Sequence, residues 1–135
     1  MTEELKSIAR RYVLDVWGRG DYDTEREIIA VDAIDHHPTS GGAGGLEGHH
    51  ATVAAVRAAF PDMTMTIDEI LAEGDRVVDC WTATGTHLGD FFGIPPTGRS
   101  FSFTGIDVLR VADGKIVEFR HVEDIYGLVL QLTAD

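Results

Sequence analysis

Three charged side chains near the end of the chain have the residue types that acid–base catalysis needs. Asp107, Arg120 and Asp124 all lie in the segment predicted to form the last two strands. A carboxylate can remove a proton from the carbon next to a carbonyl group, provided that another group stabilises the enolate that forms. Because burial among apolar neighbours raises the pKa of an aspartate, such a base works near neutral pH. The segment therefore predicts a site for proton abstraction.

The turn between these strands allows two registers. If Asp113-Gly114 is a two-residue turn, Asp107 lies opposite Arg120 and shares one face of the sheet with Arg120 and Asp124. If the loop instead has three residues and a bulge, every side chain changes its partner, and Asp107 lies with His121. We expect the register to decide which chemistry is available.

Asp124 also suits a structural position. Aspartate is favoured at the N-cap of a helix, and the apolar stretch 125–132 follows directly after it. This stretch predicts either a short closing helix or a tail that docks on a partner subunit. The residues alone allow both roles for Asp124, the helix cap and the catalytic group.

Four of the histidines occur as two adjacent pairs, His36-His37 and His49-His50. Neighbouring residues point in different directions on a helix or a strand, and the spacing does not place two ligands on one helical face. We therefore expect no metal ion. We expect His36 and His50 to line the mouth of a pocket, and His37 and His49 to face solvent.

The segment 84–99 combines turn residues with large apolar side chains. Pro95-Pro96 fixes the direction of the chain, and the glycines allow its turns. Phe91 and Phe92 then supply apolar cover, either for a cavity that holds a hydrophobic ligand or as a plug for the end of the fold. His87, just before this loop, either stabilises the turn or contributes to the pocket.

The first half of the chain has the periodicity of amphipathic helices. A first helix is predicted by apolar residues that recur every three or four positions up to the Gly18-Arg19-Gly20 stop. They are Leu5, Ile8, Ala9, Tyr12, Val13, Val16 and Trp17. A shorter helix is predicted at 23–30, and a third follows the glycine-rich segment 40–45 and ends at Phe60-Pro61-Asp62.

The second half of the chain alternates apolar and polar residues, as strands do. Strands are predicted at 63–70, 76–87, 100–110 and 115–124, with turn signals at 74–75 and 113–114. Helices followed by antiparallel strands predict an α+β fold, in which a curved antiparallel sheet is wrapped on one face by the N-terminal helices. The hollow between these layers is where a small molecule would bind.

Composition limits the function classes. The 135 residues predict a single domain, 1–135, and the net charge of −12 argues against a nucleic-acid partner. No apolar run is long enough to span a membrane, and the acidic N-terminus does not resemble a signal peptide, so we expect a cytoplasmic protein. The single cysteine, Cys80, is predicted to be a buried, inert thiol.

Residues 60–132 resemble the SnoaL-like polyketide cyclase branch of the NTF2-like, or cystatin-like α+β barrel, superfamily. The similarity lies in TGTHLGDFFGIPPTG at 84–98 and in DGKIVE at 113–118, which an aspartate follows. RYVLDVWGRGDYD at 11–23 is similar to the family's opening helix more loosely.

The resemblance implies a cone-shaped, mostly apolar pocket and a cofactor-free intramolecular aldol closure of a polyketide ester. Its catalytic aspartate corresponds to Asp124, and its pocket tyrosine corresponds to Tyr12. We expect substrate contacts also from Trp17 and His121.

Other members of the superfamily imply other activities. An epoxide hydrolase-like or ketosteroid isomerase-like enzyme would use Asp107, Arg120 and Asp124, and a small-molecule-binding module without catalysis would use none of them. A sheet face without helices and the apolar stretch 125–132 predict a homodimer or a higher homo-oligomer.

Overall fold

Helix α1 (Thr2–Arg10) continues without a break as a π-helical segment (Arg11–Trp17). The computed structural model describes residues 2–38 and 44–134 of the chain. In it, the apolar residues that predicted the first helix are all buried or packed against the core. The π-helical turns were not predicted, because the spacing of apolar residues does not distinguish them from an α-helix. None of the described helices is long and apolar enough to cross a membrane.

Helix α2 (Tyr22–Ile28) is capped by the carboxylate of Asp21 and is shorter than predicted. The prediction that residues 29 and 30 are helical was wrong, because they open strand β1 (Ile29–Asp35), which the sequence pattern did not indicate. β1 is an edge strand that pairs in parallel with the last strand. Its pattern of burial is irregular, and its sequence therefore lacks the alternation of apolar and polar residues that predicts a strand.

Helix α3 (Gly45–Ala59) confirms the third predicted helix. Its last residue is Ala59, and Phe60 is the C-cap just before Pro61, as the proline predicts. Most of the glycine-rich segment expected before it, residues 40–43, lies outside the described residues. α3 packs against β1 and places its first turns beside the sheet.

The predicted run of antiparallel strands is present. It consists of β2 (Thr64–Glu73), β3 (Arg76–Thr86), β4 (Ser100–Ala112) and β5 (Lys115–Glu123). With β1 they form one curved, unclosed sheet in the order β1-β5-β4-β3-β2. The stretch after Asp124 forms the closing helix α4 (Ile125–Thr133), which packs on β4. The α+β class predicted from the sequence is confirmed.

The turn between β4 and β5 is the two-residue turn of the first register. Asp113 and Gly114 both have positive φ, 52° and 75°, as a type I′ turn requires. Ala112 therefore pairs with Lys115.

A β-bulge then changes the register that this turn sets. Arg110 pairs with Glu118 while its neighbour Val111 pairs with Ile116, so that Val117 is an extra residue on β5. An extra residue turns every later side chain to the other face of the sheet. Beyond the bulge Asp107 pairs with His121, and not with Arg120 as the unbulged two-residue turn would require.

Glycine at position 105 is required by close packing. Gly105 pairs with Trp81, and a Cβ atom at 105 would lie 2.2 Å from Cζ2 of the indole ring. Trp81 packs edge-on against Phe103, with ring centroids 5.3 Å apart, and forms part of the inner wall of the sheet. The absence of a side chain at position 105 therefore allows the Trp81 indole to pack in this place.

We predict that Gly105→Ala destabilises the protein by about 1–3 kcal/mol, because the indole must move to avoid the new methyl group. Urea unfolding measures the loss. Ser102→Ala, at an exposed position of the same strand, is the matched control and should change the free energy of unfolding by less than about 0.5 kcal/mol. Equal stability of the two variants would contradict the packing argument.

Candidate active site

The helices and the inner face of the sheet enclose a cavity of about 430 Å³. Most of its wall is apolar, and aromatic rings come from the π-helical segment, the sheet and the 84–99 loop. These aromatic residues are Tyr12, Trp17, Trp81, Phe91, Phe92, Phe103 and Phe119. The volume and the lining suit a hydrophobic, ring-containing small molecule.

Asp107 is the carboxylate that faces the cavity from the middle of β4. Its residue is only 6% exposed. Burial raises the pKa of Asp107 to about 6, although hydrogen bonding and the charge of His121 oppose this rise. The group is therefore ionised at neutral pH and is a stronger base than an aspartate in water.

Asp79 lies directly opposite Asp107 on β3 and is fully buried behind the cavity wall. Burial, and then the charge of Asp107, raise the pKa of Asp79 to about 10. One carboxyl group of this pair is thus protonated at neutral pH while the other is ionised. The sequence pattern of β3 did not single out Asp79, because it occupies a core position in an otherwise ordinary strand.

His121 is held between two carboxylates in the cavity wall. Its Nε2 lies 3.0 Å from Asp35 Oδ1, and its Nδ1 lies 2.7 Å from Glu123 Oε2. Burial alone would lower the pKa of His121, but the hydrogen bonds and charges of Asp35 and Glu123 outweigh it and raise the pKa to about 10. All three residues line the cavity, so an imidazolium and two carboxylates lie beside Asp107.

Tyr12 faces the cavity from the opposite wall, in the π-helical segment. Its hydroxyl group is 2.9 Å from His49 Nε2, and His49 Nδ1 is 2.6 Å from Glu25 Oε2. Burial and the charge of Asp107 raise the pKa of Tyr12 well above its ordinary value, so the phenol keeps its proton. A carboxylate, an imidazole and a phenol thus form a hydrogen-bonded chain that ends in the cavity.

The expected roles of the histidine pairs are corrected by this chain. His49, expected to face solvent, lines the cavity and stacks on Phe119. His50, expected at the pocket mouth, is instead outside the lining and 2.8 Å from Glu25 Oε1. Because α3 begins beside β1, the side of the helix that carries His49 faces inward. That orientation depends on tertiary packing and could not be read from the adjacent pair.

The pair at 36–37 lies outside the cavity lining. His36, also expected at the pocket mouth, is 2.7 Å from Glu118 Oε1, and His37 lies beside the backbone of His121. Within residues 2–38 and 44–134, no group of three or more His, Cys, Asp or Glu side chains is arranged to hold a metal ion.

Asp124 and Arg120 are not among the residues that line the cavity. The Asp124 carboxylate accepts a hydrogen bond from the backbone N–H of Gly127 at 2.9 Å and caps α4. Arg120 is exposed and pairs with Val108 on the outer face of the sheet. The expected grouping of Asp107, Arg120 and Asp124 on one face is therefore wrong, and the bulge at Val117 is the reason.

The 84–99 loop contributes two phenylalanines to the cavity wall. Phe91 is buried and stacks on Phe60, with ring centroids 4.9 Å apart, whereas Phe92 is half exposed at the rim. The rings cover the cavity and do not fill it. His87 is fully buried behind this loop, where its Nδ1 lies 3.0 Å from Thr97 Oγ1, so it stabilises the turn.

The fold and the cavity together define a class of protein. It is the class of α+β domains in which a half-open sheet and its helices enclose an apolar cavity with carboxyl groups in its wall. The model of the SnoaL-like polyketide cyclases matches residues 7–132, and the chain belongs to this family. The resemblance noted from residues 60–132 is thereby confirmed.

Similar proteins include cyclases and solved structures from Streptomyces. The aklanonic acid methyl ester cyclases DnrD of Streptomyces peucetius and DauD of Streptomyces sp. (strain C5) are each 31% identical over 90% of this chain, covering 86% and 78% of those proteins. IdmH from Streptomyces antibioticus is 38% identical, with a TM-score of 0.82 over 96% of this chain and 98% of that one. TsrD from Streptomyces laurentii is 26% identical, with a TM-score of 0.88 over 98% and 97%. The two named cyclases, DnrD and DauD, confirm the expectation of a cyclase-type enzyme.

We predict that His121 makes stability depend on pH. Because its pKa is 6.5 in the unfolded chain and about 10 in the folded one, its contribution is fully present below pH 6.5 and is lost as the pH rises to about 10. Urea unfolding of wild type and His121→Gln at several pH values tests this. The gap in unfolding free energy, on the order of a few kcal/mol at pH 6, should shrink towards pH 10. A gap that stays constant would contradict a charged His121.

Proposed function

We propose that the protein closes a ring in a polyketide ester by an intramolecular aldol reaction, with Asp107 as the catalytic base. The observation that carries this proposal is a buried carboxylate, with a pKa raised to about 6, that faces an apolar cavity of about 430 Å³. A base of this strength is ionised at neutral pH and is suited to removing a proton next to a carbonyl group.

The names of the relatives support the reaction class. DnrD and DauD are aklanonic acid methyl ester cyclases, and a protein from Streptomyces nogalater that is 35% identical over 59% of this chain is a nogalonic acid methyl ester cyclase. Each substrate is a methyl ester. An aromatic, mostly uncharged ester matches the aromatic walls of the cavity better than a free acid, because carboxylates already line it.

In the proposed reaction one C–C bond forms, and Asp107 and Tyr12 each return to their starting protonation state. The proton on the carbon between two carbonyl groups passes to the Asp107 carboxylate, and the electron pair of that C–H bond forms the new C–C bond to a ketone carbon. The ketone oxygen becomes an alkoxide and takes a proton from Tyr12, which lines the cavity as a neutral phenol. Solvent then returns a proton to Tyr12 and accepts one from Asp107.

His121 contributes charge and not a proton in this scheme. Both of its ring nitrogens are engaged by Asp35 and Glu123, so the imidazolium compensates these carboxylates and stabilises the ionised form of Asp107. Without it, three carboxylates would repel one another in a poorly solvated site.

We predict that Asp107→Asn lowers kcat at least about 100-fold, because amide nitrogen and oxygen cannot take the proton. Turnover is measured with aklanonic acid methyl ester and nogalonic acid methyl ester, by chromatography of the cyclised products. Circular dichroism checks that the variant folds.

Asp124→Asn is the matched control for this experiment. Asparagine is as good an N-cap as aspartate, so helix α4 is preserved. We expect its kcat to stay within about threefold of wild type. If Asp124→Asn abolished turnover while Asp107→Asn did not, Asp124 would be the acid–base residue and the proposal for Asp107 would be wrong.

A further inference from the structure

Asp79 is a buried carboxyl group to which the proposed reaction gives no role. It is fully buried in the middle of β3, where helix α1 covers the sheet, and it is not part of the cavity lining. Neither of its oxygens accepts a hydrogen bond from a backbone or side-chain N–H or O–H group among the described residues. An ionised carboxylate in such a place costs several kcal/mol, whereas the protonated acid costs much less. The position therefore favours a carboxylic acid with a proton to donate.

The side chain opposite this proton is that of Asp107. The two residues are direct cross-strand partners on the inner face of the sheet, and directly opposed residues have Cβ atoms about 5 Å apart. Two carboxyl groups at this separation in a dry interior do not both ionise, and one proton can bridge them. Burial decides where the proton stays, since Asp79 is fully buried and Asp107 has access to the cavity.

We propose that Asp79 is a positioning residue, a neutral acid whose proton is donated to the Asp107 carboxylate and keeps one oxygen of Asp107 turned towards the substrate. The inference rests on the proposed function, in which Asp107 is the base. The donated hydrogen bond stabilises the ionised form of Asp107 without adding negative charge. Asp79 itself does not touch the substrate, because it lies behind the wall.

Other groups also face Asp107 and have to be held constant in a test. His121, on β5, stabilises the negative charge of Asp107. Glu123, on the same strand as His121, destabilises that charge. The Trp81 indole also lowers the pKa of Asp107, whereas the Tyr12 phenol is held neutral partly by the charges of Asp107 and Asp35. Substitutions at position 79 leave these groups in place, so that a change in the titration of Asp107 reports on Asp79.

The test compares Asp79→Asn with Asp79→Leu. Both variants lack the carboxyl group, but only asparagine keeps an N–H donor for Asp107. Asparagine matches aspartate in volume, whereas leucine is larger. The readout is the titration of Asp107, followed by NMR of protein labelled with ¹³C at the aspartate carboxyl carbons. Asp107→Asn identifies the Asp107 signal by its loss.

The three possible states of Asp79 give different results. If Asp79 is a neutral donor, Asp79→Asn leaves the Asp107 midpoint within about half a pH unit of wild type, and Asp79→Leu raises it by about one unit or more. If Asp79 is ionised, both variants remove a negative charge and lower the midpoint, which would overturn the proposal. Two unchanged midpoints would also overturn it, since Asp79 would then not act on Asp107.

A second measurement covers the case in which Asp79→Leu does not fold. In the wild-type protein the Asp79 signal should keep the chemical shift of a protonated acid at pH 8, and a shift to the ionised form below pH 7 would overturn the proposal. Neither NMR measurement uses a substrate, so a failed cyclase assay and a failed role for Asp79 are distinguishable. Where turnover is measurable, Asp79→Leu should lower kcat at pH 6.5 about threefold, with KM unchanged, because less of Asp107 is ionised.

Discussion

One extra residue in strand β5 determines which side chains reach the cavity. Val117 forms the bulge, and without it the alternation set by the Asp113-Gly114 turn would direct Glu118, Arg120 and Asp124 inward. With it, His121 and Glu123 line the cavity opposite Asp107, and Arg120 faces outward. The identity of the acid–base site is thus a consequence of strand register, and the short type I′ turn and the bulge together set that register.

The second physical constraint is the cost of placing carboxylates in an apolar cavity. The His121 imidazolium favours the ionised forms of Asp35 and Asp107, and Asp79 avoids the cost by keeping its proton. On the other wall, Glu25 is fully buried and compensated by hydrogen bonds to two histidines. The cavity therefore keeps a reactive base next to aromatic surfaces, and this combination is needed to remove a proton from a hydrophobic ester.

The sequence predicted most elements of the fold because their periodicities are strong. The apolar stripe of the first helix and the alternation of β2 to β5 follow directly from burial on one side. Strand β1 was missed because it is an edge strand with irregular burial that depends on pairing with β5. The π-helical turns are invisible to the same pattern. The fold class followed from these periodicities, and the family resemblance depended mainly on the motifs at 84–98 and 113–118.

The candidate site was predicted only in part. Tyr12, Trp17 and Asp107 were expected in the pocket and line it, and His121, Phe91 and Phe92 do so as well. His49 was missed because two adjacent histidines on a helix cannot be told apart without its packing partner. The family motif favoured a catalytic role for Asp124, but its carboxylate accepts a hydrogen bond at the N-terminus of α4. A bulge leaves little trace in a sequence, so the structure was needed to show which side chains of β5 face the cavity.

The most direct test of Asp107 as the base is a crystal structure of the protein with an unreactive analogue of nogalonic acid methyl ester, in which the ketone is reduced to an alcohol. We expect the carbon destined to lose its proton to lie within about 3.5 Å of an Asp107 carboxylate oxygen, inside the aromatic cavity. A complex in which that carbon lies beside Asp124, or outside the cavity, would contradict it.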